Sequence, residues 1–171
     1  LATDHYHYVE DGGCTYHSRY SSWSCYRGQE SDNWVADLAP TPTEFAPNQL
    51  SPEGATGTLR EMRRHGGWQN MHNRERLHSE EDFPMSKTFE DGIDFLNRNG
   101  RYDNWFLQIE TFDPHEPFTS PTSHFDPDCA TQPDWPPYAD VTEGPEEIEA
   151  IRTKYEASVR FCDRQLGRVL D

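Results

Sequence analysis

The stretch that most constrains this chain is Trp105 to Phe118, WFLQIETFDPHEPF. Trp105 to about Phe112 is rich in aromatic and β-branched residues and carries no Gly or Pro, the pattern of a buried strand. The run then breaks into Asp113-Pro114-His115-Glu116-Pro117. Pro114 and Pro117 lack amide donors and cannot continue a central ladder. The polar cluster therefore falls just past the carboxyl end of a strand, where open α/β sheets bind their ligands. His115 is the candidate chemical centre. The alternative is that His115 only caps a turn through hydrogen bonds.

A chain of 171 residues is long enough for one domain with a core. Only 33% of residues are hydrophobic, but 13% are aromatic, too many for a disordered segment. The reading is a folded, loop-rich chain, or a piece of a larger domain whose remainder covers exposed aromatics. A net charge of -16 argues against nucleic acid and anionic membranes as general partners. No apolar run reaches the length of a membrane span. No signal peptide is visible and the chain begins at Leu1, so localisation is not fixed; the cytoplasm is favoured over secretion. Cys14, Cys25, Cys129 and Cys162 show neither CxxC pairing nor zinc-type spacing and read as free thiols.

Leu1 to Tyr8 (LATDHYHY) reads as the end of a strand followed by Asp4, His5 and His7. In extended chain His5 and His7 share one side, which suits a metal or an anion; the plain alternative is a solvated strand end. Glu10 to Trp34 is a polar excursion packed by Tyr16, Tyr20, Trp23 and Tyr26, in which Arg19 and Arg27 pair with acids or serve an anionic substrate. Val35 to Gly57, with four prolines, is a connector. A short basic helix is expected over Thr58 to His65, ended by Gly66-Gly67. Met71 to Glu81 reads as an exposed, polar segment. Ser86 to Asn99 is an amphipathic helix with Phe89, Ile93 and Leu96 on one face and Gly100 as its stop. Thr119 to Val141 is a proline-rich loop pinned by Trp135 and Tyr138. Thr142 to Asp171 is the longest helix, with Thr142 as N-cap and an apolar stripe of Ile148, Ile151, Tyr155, Val159, Cys162, Leu166 and Val169.

The segments TDHYHYVEDGG, YHSRYSSW, RGQESDNW, FDPHEPF and the long final helix together resemble bacterial members of the sulfatase family, within the alkaline phosphatase superfamily. The resemblance spans nearly the whole chain and keeps the family's order of segments. It implies an α/β fold with a mixed sheet flanked by helices, loop-rich and incomplete here. It implies a formylglycine nucleophile and a calcium ion, with Lys and His side chains binding sulfate oxygens and protonating the leaving alcohol. His115 then matches the family's active-site His. His7 takes the His position of a Lys-x-His pair, and His5 stands where the Lys would be, as a substrate-binding donor. Asp113 and Glu116 are expected to orient His115 or to touch other parts of a substrate.

The chain departs from the family pattern in its nucleophile and metal ligands. No C/S-x-P-S-R motif occurs: Cys25 precedes Tyr-Arg-Gly, and Cys129 precedes Ala-Thr-Gln. The N-terminal Asp pair and the Asp-His-Gly segment are absent. Residues 1–171 are thus expected to be the middle of a sulfatase catalytic domain, with the nucleophile and the metal ligands outside it. The substrate implied is a sulfated small molecule or sulfated sugar. The alternatives are a phosphodiesterase or phosphonate monoester hydrolase of the same superfamily, or a non-catalytic module whose aromatic loops bind sugar or protein.

Overall fold

The computed structural model describes residues 1–9, 16–38, 58–125 and 144–171. Three short strands, β1 (Ala2–Thr3), β2 (Ser24–Cys25) and β3 (Ile109–Glu110), form a sheet in the order β2-β1-β3. Both pairings are parallel, with Ala2 facing Ser24 and Ile109, and Thr3 facing Cys25 and Glu110. The expected mixed sheet is parallel throughout in its described part. Parallel strands need long crossovers, and the chain from Asp4 to Trp23 and the helical region before β3 supply them. Ladder bonds run on past the strands, from Ala2 N to Gln108 O at 3.0 Å and from Tyr26 N to Thr3 O at 2.9 Å.

The expected strand over Trp105 to Phe112 is paired only at Ile109–Glu110. Its first half is not the buried strand its composition suggests: Phe106 is 74% exposed and Trp105 is exposed too. The reason lies in the partner, since β1 offers only two paired residues.

Three α-helices are described: α1 (Thr58–Arg74), α2 (Pro84–Asn99) and α3 (Pro145–Leu170). α2 begins with Pro84 in its first turn, where the missing amide costs nothing, and packs across all three strands. Gly92 makes that close approach, because a Cβ there would fall 2.2 Å from Ile109 Cδ1. The core joins Phe83, Met85 and Phe89 to Phe161 of α3, with Ile109, Leu77, Cys162 and Val169 packed around it. The rings of Phe83 and Phe161 meet edge to face at 5.6 Å.

Two expectations about helices need correction. α1 does not stop at Gly66-Gly67 but runs through them to Arg74. Glycine weakens a helix interior by roughly 1 kcal/mol, but here tertiary bonds hold the turn that follows. Asn73 is fully buried; its amide donates to Asp32 O at 2.8 Å and Glu30 O at 3.3 Å, and its oxygen accepts from Val35 N at 3.2 Å. Gln69 Nε2 donates to Val35 O at 2.8 Å. His72 is also buried, so Asn73 and His72 face inward, with Asn73 clamping residues 30–35, while Met71, Glu75, Arg76, His78, Ser79 and Glu81 form the exposed face expected of the segment.

α3 turns inward a face shifted from its apolar stripe: Cys162 and Val169 of the stripe pack on the core and Ile151 is half-buried, while the rest is exposed. Lys154, Ala157, Ser158, Phe161 and Gln165 are buried, while Ile148 (46%) and Leu166 (49%) are exposed, with Tyr155 and Val159. Polar bonds to neighbouring elements set this rotation. Gln165 Nε2 donates to Ser86 Oγ and to Glu80 Oε1, each at 3.2 Å, and Ser158 Oγ donates to Asp113 Oδ1 at 3.4 Å. Cys25 and Cys162 are free thiols. Cys14, Cys129, Thr142, Trp135, Tyr138 and most of the connector and of the proline-rich loop lie outside the described residues. Among the described residues, no helix is long and apolar enough to cross a membrane.

Candidate functional site: histidines at the strand ends

The carboxyl ends of β1, β2 and β3 lead directly into the candidate residues. After Thr3 the chain leaves the sheet at Asp4 and winds into a 3-10 turn, Tyr6–Tyr8, which carries His7. His5 caps the start of that turn, with its amide donating to Thr3 Oγ1 at 3.0 Å. After β3, Phe112 and Asp113 lead to His115.

The ring of Phe112 gathers the three imidazoles. His115 lies 4.4 Å from it, His5 meets it edge-on at 5.1 Å, and His7 lies 6.0 Å away. His5 and His7 are 5.3 Å apart, and His5 stacks on Tyr8 at 4.7 Å. The structure thus brings His5, His7 and His115 together. The extended alternation expected for His5 and His7 is replaced by the 3-10 turn, which still sets the two rings side by side.

Burial, with His7 and His115 nearby, pulls His5 below the usual histidine range. Its Nδ1 is buried without a hydrogen-bond partner. His5 is therefore suited to offering one N–H from a neutral ring. His115 Nδ1 lies 2.9 Å from the backbone carbonyl of Glu116. A carbonyl only accepts, so Nδ1 carries the proton and Nε2 is the remaining nitrogen for chemistry. The Glu116 carboxylate is 3.5 Å from the same Nδ1, which makes Glu116 the residue that orients His115. Asp113 is buried and bonded to Gln29 and Ser158, so it reaches His115 through the backbone and not by a bond to the ring.

Sequence reasoning missed Glu30. It is buried, accepts a hydrogen bond from Tyr6 OH at 2.9 Å, and sits at φ 44°, a conformation that side chains other than glycine adopt at a cost. Burial raises its carboxyl above the usual range, opposed by Tyr6 and by the nearby charges of His115 and His7. Nothing in the run QESDN marks this position. The nearest signal is Gly28 at φ 118°, whose missing Cβ lets the Trp34 ring close over the turn. Arg27 is engaged by Asp32, with Nε at 2.7 Å from Oδ2. Glu110 is held by Tyr16 OH at 2.9 Å and by Tyr8 OH.

Neither described thiol suits a nucleophile. Burial raises Cys25 and pushes Cys162 up to about 12, so both are protonated at neutral pH. Among the described residues, no group of three or more His, Cys, Asp or Glu could hold a metal ion, so these residues do not fit a calcium ion. Two clefts elsewhere, of about 560 Å³ beside Leu77 and Ser120 and about 800 Å³ beside Leu1 and Phe106, are not lined by the three imidazoles.

Fold and site define an α/β chain with a small parallel sheet and a histidine cluster at its strand ends. Comparison with protein-family models, curated proteins and solved structures finds no match to this chain.

Proposed function

We propose that this chain forms one wall of the active site of a sulfuric ester hydrolase of the sulfatase type. The observation that carries the proposal is the convergence of His5, His7 and His115 on Phe112 at the carboxyl ends of a parallel sheet. The resemblance of the DHYH and FDPHEPF segments to sulfatases supplies the reaction class.

Cleaving a sulfate ester leaves negative charge on the departing alcohol oxygen and on the sulfuryl oxygens. His115, with its Nδ1–H fixed by the Glu116 carbonyl, acts as the imidazolium: its Nε2 gives a second proton to the alcohol oxygen and the ring is left neutral, a role worth roughly 10²–10⁴-fold in rate. His7 donates to a sulfuryl oxygen, and His5 adds a neutral N–H. His115 and His7 stand near the Glu30 carboxyl and oppose the rise that burial gives it. The chain's net charge of -16 repels anions at long range, so the local donors must hold the substrate. Calcium and formylglycine are expected from the rest of such an enzyme. The substrate is a sulfated small molecule or sugar, and no nucleic acid is expected.

The test is steady-state hydrolysis of p-nitrophenyl sulfate by the protein that contains this chain. His115→Ala is expected to lower kcat by about 10²-fold or more with a thermal midpoint close to that of the parent. Near-normal turnover in that variant would overturn the proposal. Faster turnover of a phosphonate monoester or phosphodiester than of the sulfate would move the reaction to the neighbouring class.

A further inference from the structure

Beneath the imidazoles lie two buried carboxylates, Asp4 and Asp113, and one side-chain amide serves both. Gln29 Nε2 donates to Asp4 Oδ2 at 2.9 Å and to Asp113 Oδ2 at 2.8 Å. An amide nitrogen carries two hydrogens, so a single Gln satisfies both acceptors. Asp4 also accepts Phe112 N at 2.6 Å on Oδ1 and Thr111 Oγ1 at 3.2 Å on Oδ2. Asp113 Oδ1 takes the Ser158 hydroxyl at 3.4 Å. The network therefore ties the ends of all three strands to one another and to α3.

What it ties is the candidate site. His5 follows Asp4, Glu30 follows Gln29, and His115 stands two residues beyond Asp113. Phe112, on which the imidazoles pack, is held to Asp4 through its own amide. The donors in these bonds are neutral: a side-chain amide, a backbone N–H and two hydroxyls. Burial pushes Asp4 up to about 6 and, with Asp4 beside it, Asp113 up to about 8, so both carboxyls hold a proton more tightly than a free aspartate does. Apolar packing would stabilise a strand end at least as well as a buried polar group. It would not fix the mutual register of three backbone segments through directional bonds.

We infer that Asp4, Gln29 and Asp113 are positioning residues that set the spacing of the His5 and His115 donors for a tetrahedral oxyanion. This rests on the proposed reading of the site as a sulfate-binding wall. None of the three touches the substrate; they act through the residues that do. Displacement of such donors by about 1 Å is enough to cost up to about 10²-fold in function.

The experiment measures binding of inorganic sulfate to the full chain, read from the imidazole ¹H–¹³C shifts of His5, His7 and His115, beside a thermal melt. Gln29→Glu removes both donors and sets a third carboxylate among the other two; sulfate affinity is expected to fall about 10-fold, with the His5 and His115 signals moved and those of His72 and His124 in place. Combining Gln29→Glu with Asp4→Asn reverses the donor and acceptor across that bond, and is expected to restore affinity to within about 3-fold. Asp113→Ala removes the acceptors of Gln29 and Ser158 on that side and is expected to weaken sulfate binding about 10-fold, with the His115 signal moved. If Gln29→Glu does not fold, the combined variant and Asp113→Ala decide, and parental affinity in a folded Asp113→Ala overturns the inference. The inference is overturned if Gln29→Glu keeps parental affinity, or if the combined variant melts normally and still binds about 10-fold more weakly. His7→Ala separates the two ideas: parental sulfate affinity in that variant sinks the reading of the site itself, whatever the Gln29 variants do.

Discussion

At the residue scale, the raised carboxyls beneath the histidines make a signed statement about pH. Asp113 is pushed up to about 8 in the fold, whereas an unfolded Asp titrates near its ordinary value of 3.8. Between those values the folded chain holds a proton that the unfolded chain releases, so stability falls as pH rises through the window and levels off above it. Asp4, up to about 6, and Glu30, also raised, act in the same direction. His5 is lowered and works the other way, but only below about pH 6.5, the unperturbed histidine value. The thermal midpoint is therefore expected to fall between about pH 6.5 and 8, and Asp113→Asn is expected to flatten that slope. A midpoint that rises across this window, or an unchanged slope in the variant, would contradict a protonated Asp113. The histidines themselves could be picked out in sequence because proline on either side of His115 and the spacing of His5 and His7 are local signals. Glu30 could not, because its burial and its left-handed backbone come from Tyr6 and α1, both far from it in sequence.

At the element scale, α2 and α3 make opposite points about amphipathic patterning. α2 buries Met85 and Phe89 close to where its apolar residues place them. Its approach to β3 depends on Gly92, against which Ile109 packs. Gly92→Val is expected to cost about 1–3 kcal/mol of stability by overpacking, read as a lower denaturant midpoint; a neutral result would mean that the helix is free to move away from the sheet. In α3 the apolar stripe is buried only in part, at Cys162 and Val169, since buried hydrogen bonds of Gln165 and Ser158 shift the inward face. Phe161→Ala, which empties a fully buried site, should cost about 3–5 kcal/mol, whereas Leu166→Ala, half exposed, should cost well under about 1 kcal/mol. Equal losses from the two would restore the stripe as the packed face. α1 shows the same override: the Gly66-Gly67 stop signal loses to the Asn73 clamp.

At the scale of the whole molecule, the exposed face of α3 and the exposed Trp105 and Phe106 leave unusual amounts of apolar surface on an acidic chain. Surface of this kind binds hydrophobic dyes and partners. The folded chain is expected to enhance the fluorescence of an anilinonaphthalene dye in spite of its negative charge. Combining Val159→Ser with Leu166→Ser should reduce that signal by about half, without lowering the melting temperature. No dye binding by the folded parent chain would show that these side chains are covered in solution.

The sequence by itself determined the α/β class, the two helices around Phe89 and Phe161, and the placing of His115 just past a strand. All three follow from local properties: side-chain periodicity, the missing amide of proline, and aromatic content. Tertiary structure alone decided which face of α3 turns inward, how far α1 continues, how little of the central strand is paired, and that Gln29 joins Asp4 to Asp113. Each of those depends on a directional bond or a partner strand far away in sequence. Periodicity along one segment carries no record of which distant donor or acceptor will meet it.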